Sequence, residues 1–186
     1  MEKHEQLVNG ICDILMRKNR LKSADVNALK QSFKGRSGVR FEEFLLTEGL
    51  VSREDLLEAL GEYYTVPTVD VVGQFLDHHV VRMFPLDVML RYHFVPFERD
   101  GDMLAVVAAE PDDPELLDII GTYVSYDIVL MAGYIIDIDD MAEDFYDESL
   151  TEEHKELSID EERELEKEAD AMADILEAAD IRKDEE

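Results

Sequence analysis

A single cysteine, Cys12, leaves this 186-residue chain without any intrachain disulfide. The residues around it put the thiol on the apolar side of a helix, where it packs as a small hydrophobe in a reducing compartment. No apolar tract is long enough to span a bilayer, which argues against direct membrane insertion. The N-terminus also lacks the apolar core and small-residue cleavage site of a signal peptide, so a cytoplasmic location is expected. No Gly-Lys pair occurs, so there is no Walker-type loop to cradle phosphates. Serine and histidine are too few and scattered for a nucleophilic triad. The expectation is a chain that is not an enzyme and needs no cofactor and no metal.

Basic charge is the other scarcity. Eighteen Lys and Arg face 46 Asp and Glu, for a net charge of −28. Residues 1 to 40 carry +5, residues 41 to 146 carry −20, and residues 147 to 186 carry −13. An envelope this acidic repels phosphate backbones, which excludes DNA and RNA as partners of the whole chain. The basic first forty residues are then the place where an anionic ligand, an acidic partner or the chain's own tail would dock.

What the chain does contain is an ordered series of short elements between Phe75 and Tyr146, reading helix, strand, hairpin strand, helix, strand, helix. Val80, Val81, Phe84 and Leu86 flank Pro85, and a second apolar series follows at Val88, Met89, Tyr92 and Phe94. Val95-Pro96-Phe97 and Met103 to Ala108 are extended runs joined through Asp100-Gly101-Asp102, a good hairpin signal. Pro111-Asp112-Asp113-Pro114 stops the strand, and Asp113 is expected to cap a helix whose first residue is Pro114. Leu116, Leu117, Ile119 and Ile120 fill that helix. Asp127 to Ala132 reads as a third strand, and Asp137 to Tyr146 as a last helix.

The first sixty residues hold an internal repeat at an offset of 30. Leu15 to Leu21, then Val26 and Leu29, lies over Leu45 to Val51, then Leu56 and Ala59. Each copy reads as helix, break, cap, helix, with the breaks at Asn19 and Gly49, where a left-handed residue is easiest. Ser52 with Asp55 approximates a capping box, and Ser23 is expected to cap the equivalent helix of the first copy. Two such hairpins can pack as a small bundle with no ligand.

Met83-Phe84-Pro85, Arg91 to Pro96 and Ala108-Ala109-Glu110-Pro111, preceded by Leu46 to Val51 with Leu56, Ala59 and Leu60, resemble the N-terminal domain of type II secretion and type IV pilus assembly ATPases. The likeness runs from about Val39 to Tyr146, and Glu110 departs from the family's Asp-Pro. The order of the elements carries it, since no one motif is specific. It implies the regulatory or docking end of the family without the ATPase engine. It further implies a protein partner, such as a component of a secretion or pilus machine.

In one branch of that family the tandem hairpins bind cyclic di-GMP. The resemblance makes Arg40, Gly49, Leu56 and Leu60 the dinucleotide candidates here. The second copy has Phe41-Glu42 for the family's Leu-Gly and Tyr63 for its Gln. The first has Gly10-Ile11-Cys12 for Arg-Leu-Gly, Asn19 for Gly, Lys30 for Leu and Phe33 for Gln. Glu42 adds a side chain and a negative charge where a backbone should approach phosphates, and the first bidentate Arg is gone. A non-enzymatic interaction or regulatory protein is therefore the leading reading, with a cyclic di-GMP sensor as the alternative.

Two further motifs have plain explanations. Asp77-His78-His79 has the letters of a phosphoesterase signature, but the supporting Asp clusters are missing and a helix cap accounts for it. Asp137, Asp139, Asp140 and Asp144 space like part of a calcium loop, yet Met141 and Ala142 stand where an oxygen ligand and a Gly are needed. A solvated acidic helix start is expected instead.

Beyond Asp147 the composition changes. Residues 147–158 read as a linker, and from Asp160 Glu, Ala, Leu and Lys favour a helix. Leu165, Ala169, Met172, Leu176 and Ala179 make a two-heptad seam, with Leu165, Met172 and Leu176 as candidate partner-binding residues. The seam has three possible fates: packing on its own chain, association with a partner or second copy, or fraying. The basic N-terminal hairpins, of its own or of a second chain, are the expected surface for it. The fold class expected is α+β: helical hairpins over residues 1–66, a small α/β module of about three strands over 67–146, and an acidic linker and C-terminal helix over 147–186.

Overall fold

The computed structural model describes residues 2–34, 36 and 38–146, and residues 1–146 make one compact unit. The candidate residues Leu165, Met172 and Leu176 lie outside the described residues. The fold is α+β.

Four helices come first. These are α1 (Glu2–Arg17), α2 (Ser23–Lys34), α3 (Phe41–Thr47) and α4 (Arg53–Tyr64). Apolar residues at helical spacing explain their packing: Leu7, Val8, Ile11, Cys12 and Leu15 line one stripe of α1, and Leu56, Ala59 and Leu60 one stripe of α4, all buried. Cys12 sits in that core as a free thiol, and burial raises its pKa.

The repeat read from the sequence is present in the backbone. Asn19 and Gly49 both have positive φ, at 58° and 63°. Arg20 N–H donates to the Leu15 carbonyl and Asn19 N–H to that of Met16; thirty residues on, Leu50 donates to Leu45 and Gly49 to Leu46. Both are Schellman closures, built on Asn in one copy and Gly in the other. The next helix starts differ between copies. Ser52 caps α4 by accepting from Asp55 N–H at 3.1 Å, whereas Ser23 is itself the first residue of α2, so the expected cap is not formed there.

In the second half follow α5 (His78–Val81), α6 (Leu86–Tyr92), β1 (Phe94–Asp100), β2 (Met103–Ala108), α7 (Leu116–Tyr123) and β3 (Asp127–Ala132). A final helix, α8, covers 135–146. The single helix expected around Pro85 is two, because the ring has no N–H to continue the ladder and sits at the start of α6 instead. Asp113 accepts from Glu115 N–H at 2.9 Å, but Pro114 lies in the turn and α7 begins at Leu116, two residues later than expected. α8 begins two residues before Asp137.

The sheet order is β1-β2-β3, with β1 and β2 an antiparallel hairpin and β3 parallel to β2 after the α7 crossover. Gly101 turns the hairpin at φ 58°. β2 is central, and Leu104, Val106, Val107 and Ala108 are buried within one apolar cluster with Phe84, Met89, Phe94, Leu116 and Ile138. A second cluster fills the helical half and takes in Ala132 and Tyr134 from the end of β3. The two halves therefore meet along α4 and the β3–α8 turn.

Candidate functional site

Of the dinucleotide candidates that the family resemblance singles out, Arg40 lines a cavity of about 400 Å³, together with Lys3, His4, Leu7, Glu42, Tyr63, Tyr64, Glu110 and Asp112. Arg40 enters as the N-cap residue of α3, Glu42 from the first turn of that helix, and Tyr63 and Tyr64 from the last turn of α4. The 30-residue repeat folds α1 against α4, which brings the start of one copy beside the end of the other.

The charged side chains that line the cavity pair with one another. Arg40 donates to a Glu110 carboxylate oxygen at 3.3 Å, and Lys3 reaches the other Glu110 oxygen at 3.1 Å and Asp112 at 3.2 Å. Burial disfavours the Glu110 carboxylate, but Lys3 and Arg40 together outweigh it and lower its pKa. Burial likewise opposes the charge on Lys3, and hydrogen bonds to Glu110 and Asp112 reverse that effect. Glu42 is buried, and burial pushes its carboxyl above the ordinary range against the pull of Arg40 and His4. Burial, with Glu42 close by, also raises the Tyr64 phenol.

The first repeat copy is closed over in another way. Gly10 stands where the family's Arg belongs, and a Cβ built on it would lie 2.4 Å from the ring of Tyr63, itself at the family's Gln position. The aromatic ring fills the space that an Arg side chain at residue 10 would need. Of the other dinucleotide candidates, Gly49 forms the left-handed turn between α3 and α4, while Leu56 and Leu60 are fully buried in the helical core and reach no cavity.

The basic N-terminal segment does not offer an open cationic surface. Lys3, Arg17, Lys18, Arg20, Lys34, Arg36 and Arg40, seven of its nine basic residues, pair with acids of residues 2–146. Arg17, Lys18 and Arg20 meet Glu62, Glu58 and Asp55 along α4. The +5 charge that looked available to the tail or an anionic ligand is thus largely answered from within.

A second polar cluster joins the two halves. Arg53 bridges the carboxylate of Asp70 through Nε at 3.1 Å and Nη2 at 2.9 Å, and Nη2 also pairs with Asp137. Its guanidinium lies over the Tyr134 ring, 4.6 Å from the centroid, and the Tyr134 hydroxyl donates to the Arg53 carbonyl. Asp137 and Asp139 are thus not merely solvated acids of a helix start: Asp137 pairs with Arg53, and an Asp139 carboxylate oxygen lies 2.9 Å from His93 Nδ1, within hydrogen-bond reach. Among the described residues no group of three or more His, Cys, Asp or Glu is placed to hold a metal ion. Asp77 caps α5 by accepting from His79 N–H at 2.8 Å, as read from the sequence. His78 packs beside the Phe145 ring.

Sequence reasoning missed Glu110, Lys3, Tyr64 and the Arg53 cluster. Arg53 had a signal, since it is one of only four basic residues between 41 and 146. Glu110 stands in the sequence only as a departure from the family's Asp, and nothing there ties it to Arg40.

Glu42 gives a pH test of this geometry. Its pKa is raised on folding, so its ionisation costs no stability below about 4.5, the ordinary value, and the cost grows as pH rises through the folded value. Glu42→Gln should therefore melt higher than wild type at pH 7, and the two should converge near pH 4. Equal melting temperatures across that range would show that Glu42 is not a destabilised buried acid.

The MshEN domain family matches residues 64–152. The type IV pilus assembly ATPase PilB of Myxococcus xanthus (strain DK1622) is 22% identical over 136 residues, which is 73% of this chain and 24% of that protein. The chain therefore spans about a quarter of the length of this relative. Among solved structures, MshE with cdg superposes with a TM-score of 0.58 at 20% identity, covering 73% of this chain and 98% of that one. The N-terminal domain of XpsE superposes at 0.50 with 26% identity, covering 74% and 94%. No described helix is long and apolar enough to cross a membrane.

Proposed function

We propose that this chain, which carries an MshEN domain and resembles the N-terminal domain of type II secretion and type IV pilus assembly ATPases, is a non-enzymatic regulatory module that works by docking a protein partner. One observation carries the choice: Arg40, the candidate for gripping a phosphate, is paired with Glu110 in a cavity that also holds the buried Glu42. A dinucleotide with two phosphates would have to displace a carboxylate from Arg40 and approach a second acid. Protein docking asks for neither. It is further supported by exposed apolar side chains such as Phe75, 81% exposed, and Val72.

A cyclic di-GMP sensor is the second reading, and the likeness to MshE, solved with cdg, favours it. The two separate in a direct test. The purified chain, mixed with purified cytoplasmic domains of secretion and pilus components, should co-elute with one of them on size exclusion without added nucleotide. If none co-elutes unless cyclic di-GMP is present, the sensor reading replaces this one.

A further inference from the structure

The sheet has two edges, and the sequence treats them differently. β1 carries features that discourage pairing: Pro96, a bulge between Pro96 and Glu98, and the charged run Glu98-Arg99-Asp100. β3 carries only apolar residues after Asp127.

The register fixes which backbone groups of β3 are free. Asp127 N–H donates to the Asp102 carbonyl at 2.8 Å and Gly133 N–H to that of Ala108 at 3.2 Å, so odd-numbered residues face β2. Even-numbered residues face outward. At Ala132 the outward groups are used, since its N–H donates to the Pro67 carbonyl at 2.8 Å and its carbonyl accepts from Val69 N–H at 3.1 Å. At Leu130 and Ile128 the equivalent groups have no backbone partner among the described residues. The chain starts a fourth strand with the isolated bridge at Thr68 and does not extend it along β3. The flanking surface is apolar. Val129 and Met103, 42% and 48% exposed, share one face of the sheet, and Ile128 and Leu130 lie half-buried on the other.

We propose that the outer edge of β3 at Ile128 and Leu130 is a strand-docking site for an extended, positively charged segment of a partner polypeptide. The inference rests on the docking reading above and gives it a surface. Charge decides the occupant: a second copy would bring residues 1–146 at −15 against another −15, whereas a segment alternating β-branched and basic residues is attracted. Main-chain bonds to Ile128 and Leu130 hold such a strand, and its apolar side chains pack beside theirs on that face of the sheet. Its basic ones fall on the opposite face, beside Val129, and reach Asp127 at the start of β3.

Amide exchange of the full chain tests this, with a short synthetic peptide alternating valine and lysine as probe. The Ile128 and Leu130 amides should exchange fast in the free protein and slow by about tenfold or more with the peptide, while Val129 and Met131 stay slow throughout. A valine–glutamate peptide, or the lysine peptide interrupted by proline, should have no effect. Leu130→Pro removes the outward N–H without taking a hydrogen bond from the β2–β3 ladder, and should abolish the response while that ladder stays protected. Four results would overturn the proposal: slow exchange at both amides in the dilute free chain, slowing that follows protein concentration without peptide, equal slowing by the glutamate peptide, or no slowing with any peptide. Such a failure leaves the docking reading standing, because co-elution with whole components does not depend on this edge.

Discussion

Arg53→Ala should lower stability by about 2–3 kcal/mol, which is roughly 4–12 °C in Tm for a chain of this size. The guanidinium ties α4 to the segment around Asp70 and to Asp137 on α8, and it stacks on Tyr134. Exposure moderates the effect. The Arg53 and Asp70 side chains are 42% and 40% exposed, so their pair alone contributes little, but Asp137 is only 16% exposed and would lose its counter-charge. Arg53→Lys should rescue only part, because an ammonium cannot bridge two oxygens of Asp70 and reach Asp137 in one plane. The pH dependence has a definite sign. Arg53 holds the Asp70 carboxyl below its ordinary 3.8, so the stability from this pair is present above that value and lost as pH falls through the folded one. Thermal melts of wild type and Arg53→Ala should differ most near neutral pH and converge in strong acid. An Ala variant that melts with wild type at pH 7 would show the cluster to be decoration.

Leu56→Ala should cost more, about 2–5 kcal/mol. Leu56 is fully buried where α4 packs on α1, among Ile11, Leu15, Leu45 and Leu60. The cluster it leaves is closed on all sides, so the cavity cannot collapse easily. The same substitution tests what Leu56 is for. If it served a ligand, truncation would weaken binding with little loss of stability; a core residue gives the reverse, measured by denaturant unfolding. Unfolding free energies within about 0.5 kcal/mol of wild type would contradict its place in the core.

Much of the fold was legible because it is written in local chemistry. The hairpin at Asp100-Gly101-Asp102, the third strand at Asp127 to Ala132 and the left-handed breaks at Asn19 and Gly49 each follow from residues within a turn of one another. The misses were matters of a few residues. Pro85 reads equally well inside an apolar series or at its boundary, and only the packing of Val81 and Phe84 on one side and Val88 and Met89 on the other shows the break. The polar site was a harder case. Arg40 could be named from the resemblance, but its partner Glu110 is 70 residues away and Lys3 is 107 from Glu110. Charge counted along the sequence gave a basic N-terminus; charge in space gave ion pairs, since α4 presents Asp55, Glu58 and Glu62 to the basic end of α1 and its turn. No pattern within either segment forecasts that pairing.

Calorimetric titration of the full chain with cyclic di-GMP tests the central claim most directly. The claim is that Arg40 and the repeat positions around it are engaged with one another and leave no dinucleotide site. The expected result is no binding tighter than about 10 μM, where ΔG is only roughly −7 kcal/mol. Submicromolar affinity that Arg40→Ala abolishes would contradict it and make the chain a cyclic di-GMP sensor.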